Sequence, residues 1–300
     1  LSRFAGPDNR LDYSTSTTGN YLVDKNVTGG AVILDNDMRG YSASFNTMVT
    51  AEPIKDLNLM FSYTHQWAKE ITGLPGNQAY STWQGLYAVD GPNNAELHNA
   101  QYLTPDKLIA SLTYRKDYGK YFATSVGLYY AAYSSGMYNY YYSNDMNGDK
   151  NSFDLMYIPR TKDELKFVDK NGFTAAEQAE AFWRFVEQDK YLSAHKGEYA
   201  EAYGAALPWV HRFDLKVTQD FRLRAGKAIH TLQLSFDILN VGNLLKSSWG
   251  VTQTTSPSNY GKILRYEGKD ANGVPTYSMG YNTVNKKKEL YSRTFEPYRN

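Results

Sequence analysis

The chain has no cysteine, which excludes disulfides, thiolate zinc sites and a cysteine nucleophile together. It has no surplus of charge of either sign: 32 Lys+Arg stand against 31 Asp+Glu, a formal net of +1. Nucleic-acid binders concentrate a basic surplus on one face, so no nucleic-acid partner is expected here. The one sustained basic run, Lys286-Lys287-Lys288, reads as a solvated loop. No run of about eighteen apolar residues occurs, and the mean hydropathy of −0.58 excludes a helical membrane bundle. No signal peptide opens the chain, since Leu1-Ser-Arg-Phe-Ala-Gly-Pro7 lacks a basic start and an apolar core. Catalytic signatures are missing as well: there is no Gly-x-Ser-x-Gly elbow, no phosphate loop and no His-x-x-x-His helix. Asp163-Glu164 is an acidic pair, but neighbours on an extended chain point apart. An enzyme is not expected.

What the chain has is aromatic residues. It carries 27 Tyr, 13 Phe and 5 Trp, more tyrosine than soluble domains usually hold. A membrane barrel needs such amphipathic rings at both headgroup levels. The low hydropathy does not oppose a barrel, because only alternate residues of each strand face lipid.

Several segments alternate with period two over about ten residues, the length that crosses a bilayer as a tilted strand. Between Arg212 and Arg222, Phe213, Leu215, Val217 and Phe221 share one face while Arg212, Asp214, Lys216, Thr218, Asp220 and Arg222 share the other. After a short turn at Arg224–Ala228, Leu232, Leu234, Phe236 and Ile238 alternate with Gln233, Ser235 and Asp237. This predicts a hairpin, apolar on one side. The same unit is expected from Tyr41–Val49 and Leu57–Thr64 around a turn at Glu52–Asp56. A third comes from Lys107–Lys116 and Tyr121–Tyr133 around Asp117–Lys120. Long connections near 69–105, 134–207 and 240–258 separate the hairpins. Short turns alternating with long loops is the rhythm of a membrane barrel, whereas a sandwich has comparable loops at both ends. Gly29–Leu34 suggests a strand entry, and Tyr260–Tyr266 and Thr276–Tyr281 two late strands.

The longest loop should contain a helix. Thr174-Ala-Ala-Glu177 is a capping box, and Ala179, Phe182, Trp183 and Val186 recur at helical spacing through about Lys190. That apolar face is expected to pack on the base of the loop.

Four blocks, in this order along the chain, resemble a known family. Asn144-Asp-Met-Asn-Gly-Asp149 with Asp154-Leu-Met-Tyr-Ile-Pro159 is similar to its acidic outer loop, and Phe182–Tyr203, with Glu187-Gln-Asp-Lys-Tyr191, to the helix beside it. Pro208-Trp-Val-His-Arg-Phe-Asp-Leu215 with Thr218-Gln-Asp-Phe221 resembles a late barrel strand. Leu234-Ser-Phe-Asp-Ile-Leu-Asn-Val-Gly-Asn243, running on to Trp249, resembles the strand and loop that follow. The family is the TonB-dependent outer-membrane receptors, in the Oar-like, carboxypeptidase-regulatory-domain-containing subgroup. The first hundred residues match it only in rhythm.

The resemblance implies an all-β fold, the C-terminal part of a transmembrane antiparallel β-barrel of about 22 strands, with long extracellular loops. This chain has room for about eight to ten strands. It further implies a bacterial outer-membrane transport receptor whose partners are membrane lipid, its own plug domain, TonB reached through an N-terminal region, a nutrient ligand and in some members a surface lipoprotein. Plug, TonB box and an aromatic-ended closing strand are not found in the sequence, so the chain is expected to be a fragment or processed product that cannot transport alone. A passive porin-like channel would share the strand pattern, and a secreted or surface ligand-binding β domain would differ by dissolving without detergent.

Two site readings follow. Asp145, Asn147, Asp149 and Asn151 recur every second residue with Asp154 beyond, which is how oxygen ligands for calcium are spaced; the same composition also makes an ordinary Asn/Asp/Gly turn. An EF-hand would place its glycine later than Gly148 and a glutamate where Met156 stands. No other cofactor is expected. Trp67, Trp209 and Tyr133 fall at strand ends suited to girdle aromatics. Tyr138, Tyr140, Tyr141 and Tyr142 lie beyond a strand and could stack on a substrate or pack the loop. Of the five histidines, His65, His211 and His230 fall on or near strand ends, with His211 on an apolar face, and His98 and His195 fall in loops.

Overall fold

A computed structural model describes residues 2–14, 32–33, 35–73, 76–255 and 261–297. Six long strands dominate it: β1 (Tyr41–Ile54), β2 (Leu57–Glu70), β3 (Asp106–Tyr118), β4 (Phe122–Ser134), β5 (Trp209–Ala225) and β6 (Ala228–Ile238). They pair antiparallel in sequence order, with a short His98–Asn99 strand added at the end of β2. Strands β1 and β6 each have one long neighbour among the described residues, so the sheet is open at both edges.

The three expected hairpins form, and their turns explain why. At Ala225-Gly-Lys-Ala228 the left-handed position goes to Gly226, φ 63°, with nothing near where a Cβ would point. Glycine is needed there for its backbone alone, as two-residue hairpin turns require. Asp56, the second of the two turn residues between β1 and β2, also takes a positive φ, 68°. All three turns lie at one end of the sheet; the long connections leave from the other.

Those connections fold together into a second body. It contains α1 (Ala79–Gln84), α2 (Ala175–Gln188), α3 (Lys190–Ala194) and the short strands β7 (Leu264–Lys269) and β8 (Pro275–Met279). A hairpin of β9 (Tyr281–Val284) and β10 (Lys287–Leu290) lies beside them. Helix α2 begins as expected: the Thr174 hydroxyl accepts from the Glu177 amide, and the Glu177 carboxylate accepts from the Thr174 amide. It buries Phe182, Phe185 and Val186 against Ile158, Leu192, Tyr277 and Met279. Each such side chain contributes about 2 kcal/mol by leaving water. The principal core of the molecule is here, not on the sheet.

Two expectations change. The late strands are only five and six residues long, and they pair with each other and with Lys166–Phe167 inside the loop body. They add nothing to the long sheet, which has six long strands among the described residues rather than eight to ten. The strand entry at Gly29–Leu34 lies outside the described residues apart from 32–33, which are not strand. The basic run is not all loop: Lys286 sits in the β9–β10 turn, where Asn285 and Lys286 both have positive φ, and Lys287 and Lys288 continue into β10, all three exposed.

Candidate functional site

The register places alternate residues of all six strands on common faces. One face carries Phe45, Val49, Leu59, Phe61, Leu112, Val126, Leu128, Phe213, Leu215, Val217, Leu234 and Phe236. Antiparallel sheets in water cover such a face with a core. This one is open: Leu234 is 57 % and Phe236 65 % exposed. Across its middle, Leu59, Leu112, Leu128, Leu215 and Ile238 line up in one row. Exposed Trp67 and Trp209 mark its loop end, and exposed Tyr118, Phe122 and Phe221 its turn end. Tyr133 is different. It pairs with Lys107 and Val210 on the opposite face, because it is one residue out of phase with Tyr130 and Ala132.

The opposite face is polar, and its charges answer one another. Arg115 Nη2 meets Asp220 Oδ2 at 2.8 Å, and Gln233 Nε2 donates to Asp220 Oδ1 at 2.7 Å. Arg222 Nη2 meets Asp117 Oδ1 at 2.7 Å, Lys216 Nζ meets Asp237 Oδ1 at 3.1 Å, and Arg212 Nε meets Asp214 Oδ1 at 2.9 Å. Each pair contributes little in water. What matters is the separation: most charges of the central sheet are on this side, and the opposite face is largely apolar, with Asp106, Lys116 and Lys69 toward its ends.

The tyrosines open to either stacking on a substrate or packing the loop lie in the loop core. Tyr140, Tyr141 and Tyr142 are buried and Tyr138 is half-buried. The Tyr140 hydroxyl donates to Asp189 Oδ2 at 2.6 Å and lies 3.1 Å from that of Tyr138, while Tyr142 donates to Asp8 Oδ2 at 2.8 Å. Burial pushes the Tyr138, Tyr140 and Tyr142 hydroxyls far above their ordinary range, so they stay neutral donors. Tyr140, Tyr141 and Tyr142 are thus enclosed within the loop core, with Tyr138 at its edge.

In the acidic loop the oxygens are turned onto the loop's own amides. Asp145 accepts from the amides of Gly148 and Lys150, Asn147 from that of Asp149, Asp149 from that of Asn151, and Asp154 from that of Met146. The geometry is that of successive Asx turns. Among the described residues, no three acidic or histidine side chains converge as a cation site would ask. Burial lifts the Asp149 carboxyl to about 6 and that of Asp154 to about 8, the latter against the pull of Arg10.

Arg10 is the residue the sequence pattern did not single out. It is fully buried, its Nε on Asp8 Oδ1 at 2.8 Å and its Nη2 on the Leu155 carbonyl at 2.6 Å. Its guanidinium also lies over the Tyr142 and Tyr199 rings. Burial opposes its charge, but the Asp8 carboxylate beside it outweighs that and holds it cationic. The pair fastens residues 2–14 into the loop core. Asp8-Asn-Arg10 has no periodicity or motif that would have found it.

The histidines are scattered. His211 stays on the apolar face, its Nδ1 2.8 Å from the Tyr130 hydroxyl; His98, on the short strand beside β2 rather than in a loop, and His195, at the end of α3, bond backbone carbonyls. Comparison with known proteins adds no identity: no family model, curated protein or solved structure matches this chain.

Proposed function

We propose that this chain is part of the barrel of an outer-membrane transport receptor, with β1–β6 crossing the membrane and the loop body facing outward. One observation carries the reading: six long strands with an open hydrocarbon face and a polar, ion-paired face. Lipid is the solvent that such an uncovered face fits, and an aqueous lumen fits the other. The dimensions agree. Trp209 to Phe221 spans about 41 Å at strand rise, or about 29 Å of depth at a tilt near 45°, close to a bilayer's hydrocarbon thickness. The leucine row lies midway between those two residues. The open edges of β1 and β6 would be aggregation-prone alone, and further strands closing a barrel remove them.

In this reading the loop body captures a nutrient, the polar face meets a plug, and import draws energy through TonB, as the resemblance at Pro208–Phe221 and Leu234–Trp249 suggests. Vesicle flotation after a urea wash tests the membrane assignment. The protein should rise with the lipid and need detergent for release. Full solubility without detergent would favour a surface or secreted binding domain instead.

A further inference from the structure

Resting on the outward placement of the loop body, we propose that the trough between α2 and β10 binds a short peptide with free ends, held extended against the edge of β10. The trough encloses about 860 Å³, within the range of small-ligand sites. Its helix wall is a stripe at three- and four-residue spacing, Glu177, Ala181, Arg184 and Gln188, and the small Ala181 side chain leaves the hollow. From Glu177 to Gln188 the helix rises about 17 Å, the length of about five residues of extended chain. Gln188 Nε2 donates across to the Ser292 carbonyl at 2.8 Å and closes one end.

The opposite wall is made by consecutive residues, 288–292. A strand that turned a face to the trough would contribute alternate residues, so it is an edge that lies there. The register identifies the bare groups. The Tyr291 amide donates to the Gly280 carbonyl, which makes those two a hydrogen-bonded pair, and bonded and unbonded pairs alternate from there toward the turn. Leu290 and Lys288 therefore stand in unbonded pairs, with their amides and carbonyls pointing away from β9. Among the described residues nothing takes them. Bare donors and acceptors at alternate residues are what an incoming extended backbone pairs with. A glycan offers no such repeat of amide and carbonyl.

The charges account for the ends. Glu177 accepts from the Thr174 amide at the helix cap, Glu180 meets Lys162 at 3.2 Å, and Lys288 donates to the Asn171 carbonyl at 3.1 Å. One lining group of each sign is left uncommitted. Arg184 meets Glu180 through Nε, at 3.6 Å, and its two Nη atoms have no partner among the described residues; nor has the Glu289 carboxylate. A peptide carboxylate fits the Arg184 fork, and a peptide ammonium fits Glu289.

The test is titration calorimetry of the detergent-solubilised protein with four probes: pentaalanine, pentaalanine capped at both ends, pentaalanine N-methylated at alternate residues, and cellopentaose as a neutral glycan of five units. Pentaalanine should bind saturably. Capping its ends, Arg184→Gln or Glu289→Gln should each weaken binding at least about tenfold, as expected for the loss of a charge-assisted hydrogen bond. N-methylation should abolish binding by removing the amides that pair with β10. Both substituted side chains are exposed, so the variants should fold as the parent does. No saturable heat from pentaalanine at millimolar concentration, equal binding of the N-methylated probe, unchanged affinity in both variants, or equal or tighter binding of cellopentaose overturns the proposal. The membrane reading fails separately, in vesicle flotation, and a protein that stays dissolved without detergent is titrated in buffer alone.

Discussion

Leu128→Arg separates a lipid-facing surface from a water-facing one. Leu128 lies in the leucine row, between Leu112 and Leu215, and is 38 % exposed. On an open surface in water the substitution should change stability by about 0.5 kcal/mol or less, since no core is disturbed. At the midplane of a bilayer an arginine costs about 2–4 kcal/mol. Phe221→Arg is the control, because Phe221 is on the same face but at the turn-end rim, where the cost falls to about 0–1 kcal/mol. The assay is urea unfolding of the protein refolded in vesicles, followed by tryptophan emission. With a slope of about 2 kcal/mol/M, Leu128→Arg should lower the midpoint by about 1–2 M and Phe221→Arg by under about 0.5 M. Equal shifts in the two variants, or negligible shifts in both, would refute the depth argument.

Four further outcomes concern the loop body. Thr174→Ala removes the N-cap of α2 and should cost about 1 kcal/mol, read as a lower melting temperature. Asp8→Ala leaves Arg10 buried without its closest anion and should cost about 3–5 kcal/mol, enough to loosen residues 2–14 to protease. Because Asp149 titrates near 6 when folded, it holds a proton there that the unfolded chain has released. The contribution of Asp149 to loop-body stability should be full below about pH 4 and be lost as pH rises toward 6, so Asp149→Asn should flatten that part of the pH profile. Millimolar calcium should give no calorimetric heat, because the oxygens of Asp145, Asn147, Asp149 and Asp154 already accept from the loop's own amides; a clear binding isotherm would contradict that.

The sheet was legible in the sequence because its signal is local. Alternation at Phe213–Asp220 and Leu232–Ile238 states which side chains share a face, and Gly226 between them fixes the turn. The Thr174–Glu177 box placed the start of α2 for the same reason. The loop body was not legible, since its contacts join distant segments. Tyr142 meets Asp8 and Tyr277, and Arg10 meets Asp154, across stretches with no common period. The run of tyrosines therefore left stacking and packing both open in the sequence, and the fold encloses most of it. Tyr133 was misplaced by a single residue of phase, which in a strand is the difference between faces.

The absence of native cysteine makes the central claim directly measurable. Single cysteines at positions 213 through 218 of β5, spin-labelled in vesicles, report collisions with oxygen, which concentrates in lipid, and with a polar nickel chelate. Labels replacing Phe213, Leu215 and Val217 should favour oxygen, and those replacing Asp214, Lys216 and Thr218 should not. If all six positions meet the nickel chelate equally, the hydrocarbon face is not in a membrane and the account fails.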